Sequence, residues 1–314
     1  MRDETRQEED AREPRKPRRR LPMAAVALGV VLAAGATAAA VILTGLPVGP
    51  GDSGDRAITG SAAEGTVAGA NYSELSPDEI AALPEARYNA VIPGLMPYVS
   101  AEVPAVSRDV YVISSDTPIF DDAKHPVARF AFRNFAGRPT VIVPVEIEGP
   151  WALVMTPARQ QLPSTAGGSA PAQTAGWVRS SALKKSTRDP LSRRVVIATG
   201  EQKLLIEDFA GATVQSFDIA VGAPDTPTPT GVTGYLQERY LDSEQGQSTY
   251  PIQLTSLHSS AKDEPYQGED GGLIGMHYFP SHDGNISHGC IRLSAEAISA
   301  VNELPLGTSV TIVP

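Results

Sequence analysis

The longest apolar stretch of the chain, residues 21–48, contains no charged side chain. A helix rises 1.5 Å per residue, so roughly 20 apolar residues cross a bilayer hydrocarbon core of about 30 Å. The stretch is therefore long enough to span a membrane as a single helix. This pattern predicts a transmembrane helix over residues 21–46.

The residues around this stretch indicate its orientation. A charged segment, residues 1–20, precedes it and ends in the basic run at 15–20. Basic residues that flank a first membrane span stay on the cytoplasmic side, so we expect the remainder of the chain outside the membrane. The small residues at 36–38 also resemble a signal-peptide cleavage site, although the apolar run continues beyond them. An uncleaved anchor and a cleaved leader both predict an exported chain.

Two segments without a long hydrophobic pattern follow the apolar stretch. Residues 47–75 are rich in Gly, Ala, Ser and Thr, which is typical of a flexible linker. Residues 76–108 form a short helical and extended connector. Its helix begins with Ser76 as N-cap and Glu79 three residues later, a capping-box pattern, and Pro84 ends it.

Short strand-like runs separated by Pro, Gly, Asn or Asp fill residues 109–184 and predict a small β-barrel. The segment resembles a bacterial SH3-like module, and the resemblance is carried by GPWALV at 149–154, PAR at 157–159 and AGWV at 175–178. Both tryptophans of the chain, Trp151 and Trp177, lie here. They form either an aromatic groove for glycan or peptide, or part of the barrel core.

A second strand-rich segment covers residues 192–314. Its predicted strands are 194–198, 203–207, 214–221 and 310–312, the first two of which form a hairpin. One helix is predicted after Ser294, which can act as its N-cap. The fold class is therefore mostly β, with a membrane helix, a small barrel module and a larger β-rich domain.

Charge and cysteine content exclude several functions. The formal net charge is −10, and the first 20 residues hold eight Lys and Arg against six Asp and Glu. The rest of the chain, with 18 basic and 30 acidic residues, has no basic excess with which to grip nucleic acid. The single cysteine, Cys290, excludes an intramolecular disulfide, an iron–sulfur cluster and a Cys₄ zinc site.

The lone thiol lies in a histidine-rich stretch. Three of the five histidines, His277, His282 and His288, fall within thirteen residues of Cys290. A free thiol with a pKa of about 8.5 is only slightly ionised at neutral pH, and an imidazole that accepts its proton makes it a competent nucleophile. Gly289 permits a tight turn in which backbone N–H groups converge, as an oxyanion site requires.

This stretch resembles the signature of the L,D-transpeptidases, the YkuD-type catalytic domain. The string SHGCIR at 287–292 matches the motif Ser/Thr-His-Gly-Cys with Arg or Asn two places on. Upstream, VGAPDTPTPTG at 221–231 resembles the Thr-Pro-x-Gly segment of the family, and LPLGTSVTI at 304–312 resembles its closing strand. The resemblance covers roughly residues 192–314. Nine residues separate His277 from Ser287, fewer than is usual in that family.

The resemblance implies roles for individual residues. Cys290 is the nucleophile and His277 the base. Ser287, His288 and Gly289 belong to the oxyanion and structural set. The residues expected to contact substrate are Arg292, Tyr278 and His258. For His258 a surface position is the alternative, and Arg292 is either a ligand for a substrate carboxylate or a structural anchor.

The resemblance also implies a function. It is the cross-linking of peptidoglycan stem peptides through a Cys290 thioester at a diaminopimelate-type residue, without metal or cofactor, and with carbapenem-type compounds as inhibitors. L,D-carboxypeptidase activity and attachment of a protein amine to the wall use the same site and stay open. A further alternative is a zinc-dependent amidase with His277, His282, His288 and Cys290 as ligands. The expected location is the cell membrane, with one span and an extracytoplasmic catalytic domain.

Overall fold

A computed structural model describes residues 74–98, 108–186, 189–261 and 272–314. The predicted cytoplasmic tail, the membrane helix at 21–46 and nearly all of the predicted linker lie outside these residues. Within the described ranges, no helix is long and apolar enough to cross a membrane. All of the described residues belong to one compact unit.

The first described element is the predicted helix α1, Pro77–Ala82. Its N-terminus is the predicted capping box, in which the Glu79 N–H donates to the Ser76 hydroxyl at 3.3 Å and the Ser76 N–H donates to the Glu79 carboxylate at 2.8 Å. These bonds to Ser76 lower the pKa of Glu79. Leu83 caps the other end, directly before Pro84.

An N-terminal sheet contains the predicted small-barrel segment. Its six strands are β1 Met96–Pro97, β3 Thr117–Phe120, β4 Pro126–Phe130, β6 Pro144–Glu148, β7 Trp151–Thr156 and β8 Thr174–Arg179. They run in the order β4-β3-β8-β7-β6, and β1 also pairs with β8. Three short strands form a second sheet: β2 Tyr111–Val112, β5 Val141–Ile142 and β9 Lys184–Lys185. A 3₁₀ turn, Ser180–Ala182, follows β8.

Cationic side chains lie over the rings of both tryptophans. Trp177 is 7% exposed, and the Lys124 ammonium lies 4.0 Å from its ring centroid. Trp151 is half-buried, with the Arg179 guanidinium 4.8 Å from its ring and Phe120 packed edge-on at 5.1 Å. The core interpretation therefore holds for Trp177, whose ring is not available as a groove wall. The SH3-like assignment itself stays a prediction.

The C-terminal domain is a closed β-barrel. Its strands are β10 Arg194–Ala198, β11 Lys203–Glu207, β12 Thr213–Gly222, β13 Val232–Asp242, β14 Gln247–His258, β15 Leu273–Tyr278, β16 Gly284–Ser287, β17 Ile291–Leu293 and β18 Ser309–Val313. The order is β11-β10-β18-β13-β14-β15-β17-β12-β16, and an additional β11–β12 pairing closes the ring. The predicted hairpin β10–β11 and the last strand are confirmed.

The predicted second helix, α2 Ala295–Asn302, covers one side of this barrel. The Ser294 hydroxyl accepts the Ala297 N–H at 3.1 Å, as an N-cap does. Ile298 and Val301 are fully buried in the barrel's hydrophobic core. That core also contains side chains from β10, β12, β15, β17 and β18. An eight-residue helix is marginal in isolation, so apolar packing against the barrel stabilises α2.

Polar and apolar contacts join the N-terminal sheet to the barrel. Tyr235 of β13 is buried against Val143 and Met155, and burial raises its pKa. Glu238 of the same strand is fully buried and binds Arg138 from the N-terminal part. The predicted module and the predicted catalytic domain therefore share an interior surface.

Candidate active site

Two neighbouring parallel strands place the candidate residues. In the β15–β17 pair, Met276 is registered with Ile291 and His277 with Arg292. Met276 belongs to the buried core, whereas His277 on the alternate face lines a cleft of about 300 Å³. Cys290, directly before β17, lines the same cleft. The strand register therefore brings the thiol and the imidazole that the sequence singled out into one site.

The turn that carries the thiol depends on a glycine. Gly289 has a backbone φ of +98°, which residues with a side chain rarely adopt. An added Cβ would also lie 3.1 Å from the Cδ1 atom of Ile274. The buried Ser287 hydroxyl donates to the Cys290 carbonyl and closes the turn. Cys290 is half-buried, and its thiol donates to the Leu273 carbonyl at 3.5 Å.

A loop that follows β12 lies beneath this turn. The Thr226 hydroxyl donates to the Ser287 carbonyl at 2.9 Å, and the Thr228 hydroxyl donates to the Gly289 carbonyl at 2.8 Å. Both threonines belong to the TPTPTG string quoted above, but their side-chain targets lie 61 residues away. Nothing local in the sequence indicates these bonds.

The His277 imidazole is oriented by a backbone carbonyl. Its Nδ1 lies 3.1 Å from the Tyr278 carbonyl oxygen, which can only accept, so Nδ1 carries the hydrogen and Nε2 is left as the acceptor. Burial lowers the pKa of His277, the bond to Tyr278 opposes that shift, and the charge of Arg292 lowers the pKa further. The ring is therefore neutral at neutral pH, the state that a general base needs.

Gln247 supports the same carbonyl. Its side-chain amide donates to the Tyr278 carbonyl oxygen at 3.0 Å, and the residue is only 5% exposed. The carbonyl that orients His277 is thus itself held in place from the neighbouring strand β14. Sequence reasoning missed Gln247, because no local pattern connects it with a residue 31 positions later.

Arg292 lies at the cleft beside His277. Its guanidinium carbon is 4.1 Å from the Phe279 ring centroid, and the residue lines the same cleft as Cys290. The Nε atom is buried, and it has no hydrogen-bond partner among the described residues. Arg292 therefore places a positive charge at the cleft.

Two residues expected to contact substrate lie elsewhere. The Tyr278 side chain packs against the barrel core and the Tyr250 ring, at a centroid distance of 4.9 Å, because it alternates with His277 along β15. His258 is 2% exposed, and its Nε2 lies 2.8 Å from the Tyr88 carbonyl. Neither side chain lines the cleft, so their predicted substrate contacts stay predictions without support from the cleft geometry. The surface alternative for His258 is wrong, because this residue is buried.

The remaining histidines occupy the edge of the site. His288 has an exposed side chain that lines the cleft. His282 lies in a loop, with its Nδ1 3.0 Å from the Pro280 carbonyl. Within the part of the chain that the structure describes, no three His, Cys, Asp or Glu side chains form a group that could hold a metal ion. The zinc-dependent alternative requires such a group.

The closed barrel thus carries one cleft that is lined by the thiol of Cys290 and the imidazole of His277. Residues 192–312 match the family model of the YkuD L,D-transpeptidase catalytic domain. The match falls on the part of the chain in which the motifs predicted this domain. No curated protein matches the chain.

Solved structures give low overall similarity. A fused Zn-dependent amidase/peptidase/peptidoglycan-binding protein from Clostridium acetobutylicum is 23% identical, covers 40% of this chain and 55% of its own, and has a TM-score of 0.27. An L,D-transpeptidase from Xylanimonas cellulosilytica is 18% identical, and the match covers 42% of this chain and 65% of that one, with a TM-score of 0.27. An L,D-transpeptidase from Mycobacterium tuberculosis is 16% identical, and the match covers 71% of this chain and 98% of that one, with a TM-score of 0.32. This chain thus spans less than two thirds of the first two structures.

Proposed function

We propose that this protein is a peptidoglycan L,D-transpeptidase that forms cross-links through a Cys290 thioester. The observation that supports this most is the shared cleft of Cys290 and His277, in which the Tyr278 carbonyl occupies Nδ1 and leaves Nε2 as the proton acceptor. A thiol and an oriented imidazole in one cleft are the groups that nucleophilic acyl transfer requires.

Acylation begins when the Nε2 atom of His277 takes the thiol proton of Cys290. The thiolate sulfur attacks the carbonyl carbon of a diaminopimelate-type residue that precedes a terminal D-Ala. The carbonyl oxygen becomes an oxyanion, which the N–H groups of the turn at 288–290 stabilise. When the C–N bond breaks, the leaving amine takes the proton from His277 and D-Ala departs, which leaves a thioester on Cys290.

Deacylation reverses the proton path. An amine of a second stem peptide attacks the thioester carbonyl and gives one proton to the Nε2 atom of His277. The C–S bond breaks, and the thiolate recovers that proton. The new amide bond is the cross-link. Water as attacker yields a trimmed peptide, and a protein amine yields a protein bound to the wall.

Arg292 is the proposed ligand for a carboxylate of the stem peptide. Such peptides carry carboxylates close to the bond that is cut, and a guanidinium binds a carboxylate through paired, charge-assisted hydrogen bonds. Arg292 lines the same cleft as Cys290 and His277, which supports this role.

The proposed location follows from the sequence of the segment outside the described residues. The apolar run at 21–46 would anchor the chain with residues 1–20 in the cytoplasm. The linker at 47–75 would let the domain reach wall peptides. Protease added to intact protoplasts is expected to remove the domain and leave a small membrane fragment; a protected domain would contradict this orientation.

Mass spectrometry of muropeptide products tests the activity. The full chain is incubated with a disaccharide-tetrapeptide, beside the Cys290→Ala variant and a sample with chelator. We expect cross-linked dimers that have lost one D-Ala, none with the variant, and no effect of the chelator. Tripeptide alone would indicate the carboxypeptidase, and loss of activity with chelator would contradict the thiol mechanism.

A further inference from the structure

The two threonine hydroxyls beneath the nucleophile turn bind the carbonyls of Ser287 and Gly289. Each of these carbonyls belongs to a peptide group whose other end is an N–H. The Ser287 carbonyl shares its peptide with the N–H of His288, and the Gly289 carbonyl shares its peptide with the N–H of Cys290. In a planar trans peptide the C=O and N–H bonds point in opposite directions, so fixing one end fixes the other.

The Thr228 hydroxyl is held in one orientation by two hydrogen bonds. The Gly222 N–H donates to the Thr228 oxygen at 2.9 Å, so Thr228 accepts there and its own hydrogen goes to Gly289. The Ser287 carbonyl also accepts the Ala223 N–H at 2.8 Å, beside its bond from Thr226. Both threonines are buried, at 4% and 6% exposure, where water does not compete for these bonds.

The loop packs closely against backbone on two sides. A Cβ atom on Gly222 would lie 2.3 Å from the Thr226 carbonyl oxygen and 2.4 Å from the Thr228 nitrogen. On the other side, a Cβ atom on Gly289 would approach the Pro227 carbonyl oxygen to 3.6 Å. The backbones of the loop and the turn are therefore in contact. The hydroxyls of Thr226 and Thr228 add hydrogen bonds from side chains of the loop to carbonyls of the turn.

We propose that Thr226 and Thr228 are positioning residues of the oxyanion site, which hold and polarise the peptide groups that end in the N–H of His288 and of Cys290. The inference rests on the proposed function, because it assigns a purpose to the acyl-transfer turn. A hydroxyl bound to the carbonyl end strengthens donation by the N–H end. Donors that are already aimed at the developing charge need no reorganisation during the reaction.

The test separates this role from a general structural one by using two reactions of the same thiol. Acetylation by p-nitrophenyl acetate passes through an oxyanion: the thiolate attacks the ester carbonyl and p-nitrophenolate leaves. Alkylation by iodoacetamide displaces iodide at a saturated carbon and forms no oxyanion. A loss of oxyanion support slows the first reaction alone, whereas a distorted or less accessible Cys290 slows both.

The variants are Thr226→Val and Thr228→Val in the full chain, with Thr→Ser at each position to restore the hydroxyl. Thr308→Val is the matched control, because Thr308 is equally buried and its hydroxyl donates to the Pro305 carbonyl at 2.7 Å outside the candidate site. We expect each valine to slow acetylation roughly tenfold, below the 10²–10³ that removal of a whole donor costs, with alkylation unchanged and serine close to wild type.

Equal effects on both reactions, or no more effect than Thr308→Val, would overturn the proposal. If Thr228→Val does not fold, Thr226→Val and Thr228→Ala undergo the same comparison, and each must show the same split. Failure of the proposed function has a different signature. Wild-type protein would then be acetylated and alkylated but would neither cross-link nor trim muropeptides.

Discussion

His277 and Arg292 stand opposite each other in the parallel pair β15–β17, so an imidazole and a permanent positive charge share one face of the barrel sheet. Burial is the main reason that the pKa of His277 is lowered, and the Arg292 charge lowers it further. The relationship gives Arg292 two effects, one on the ionisation of His277 and one on any anionic group in the cleft.

The first prediction separates these two effects. Arg292→Gln is expected to raise the pKa of His277. The acid limb of the pH–rate profile for acetylation then moves to higher pH. The ester p-nitrophenyl acetate carries no carboxylate, so substrate binding by Arg292 does not enter this measurement. Arg292→Lys keeps a charge and serves as the matched control. An acid limb that stays in place for Arg292→Gln would show that the charge does not act on His277.

The second prediction concerns the base. Removal of a general base costs roughly 10² to 10⁴ in rate, so His277→Ala is expected to slow acylation by a carbapenem by about that factor. Intact-protein mass measured over time gives the rate. His282→Ala is the control, since His282 contacts only nearby backbone oxygens among the described residues, and it should change little. Cys290→Ala should form no adduct. If His277→Ala left the acylation rate unchanged and His282→Ala abolished acylation, His282 rather than His277 would be the base.

Local signals in the sequence predicted the elements that depend on neighbouring residues. The capping box at Ser76, the hairpin of β10 and β11, and the helix after Ser294 all appear with the expected bounds within a residue or two. Their determinants are caps and short alternation, which lie within a few positions along the chain.

The long strands β13 and β14 were missed for a physical reason. Buried polar residues interrupt their hydrophobic pattern, among them Glu238, Gln253 and Ser256, so neither strand alternates. Partners for these groups come from distant parts of the chain; the Ser256 hydroxyl, for example, donates to the Gln173 side chain at 2.6 Å. The motif singled out Cys290 and His277, which line one cleft. Gln247 and the two threonines carry no such signal, because their contacts are created only by folding.

The third prediction follows from the burial of His258. Burial, with a further contribution from the charge of Arg159, lowers its pKa to about 3, and its bond to Tyr88 opposes this shift. The unfolded chain therefore binds a proton at about pH 6.5 that the folded protein does not bind, so stability falls as pH drops from about 6.5 towards 3. The slope from this residue is at most about 1.4 kcal/mol per pH unit.

Urea unfolding between pH 4 and 7 measures this slope. His258→Gln retains an N–H for the Tyr88 carbonyl but does not titrate, so its stability should fall less steeply with acid than that of wild type. His125→Gln is the control, because the His125 side chain is 76% exposed. A wild-type slope in His258→Gln would mean that His258 is not the group responsible.

The fourth prediction concerns the contact between the N-terminal sheet and the barrel. Glu238 is fully buried on β13, and its carboxylate binds Arg138, with the Arg138 Nε at 3.0 Å. Loss of a partner from a fully buried ion pair costs about 3–5 kcal/mol, because it leaves an uncompensated charge. Since the Arg138 side chain is half exposed, we expect Arg138→Met to lower the free energy of unfolding by about 2–3 kcal/mol, somewhat less than that range.

Urea unfolding at neutral pH checks the value against a matched exposed pair. Lys203 binds Asp218 at 2.5 Å, and both side chains are more than a third exposed, so Lys203→Met should change stability by less than about 1 kcal/mol. In the double variant Arg138→Met with Glu238→Gln the uncompensated carboxylate is absent, and part of the loss should be recovered. If Arg138→Met costs no more than Lys203→Met, the ion pair does not stabilise the contact. A C-terminal fragment that starts at residue 192 lacks Arg138, so the same argument predicts that it is less stable than the full chain.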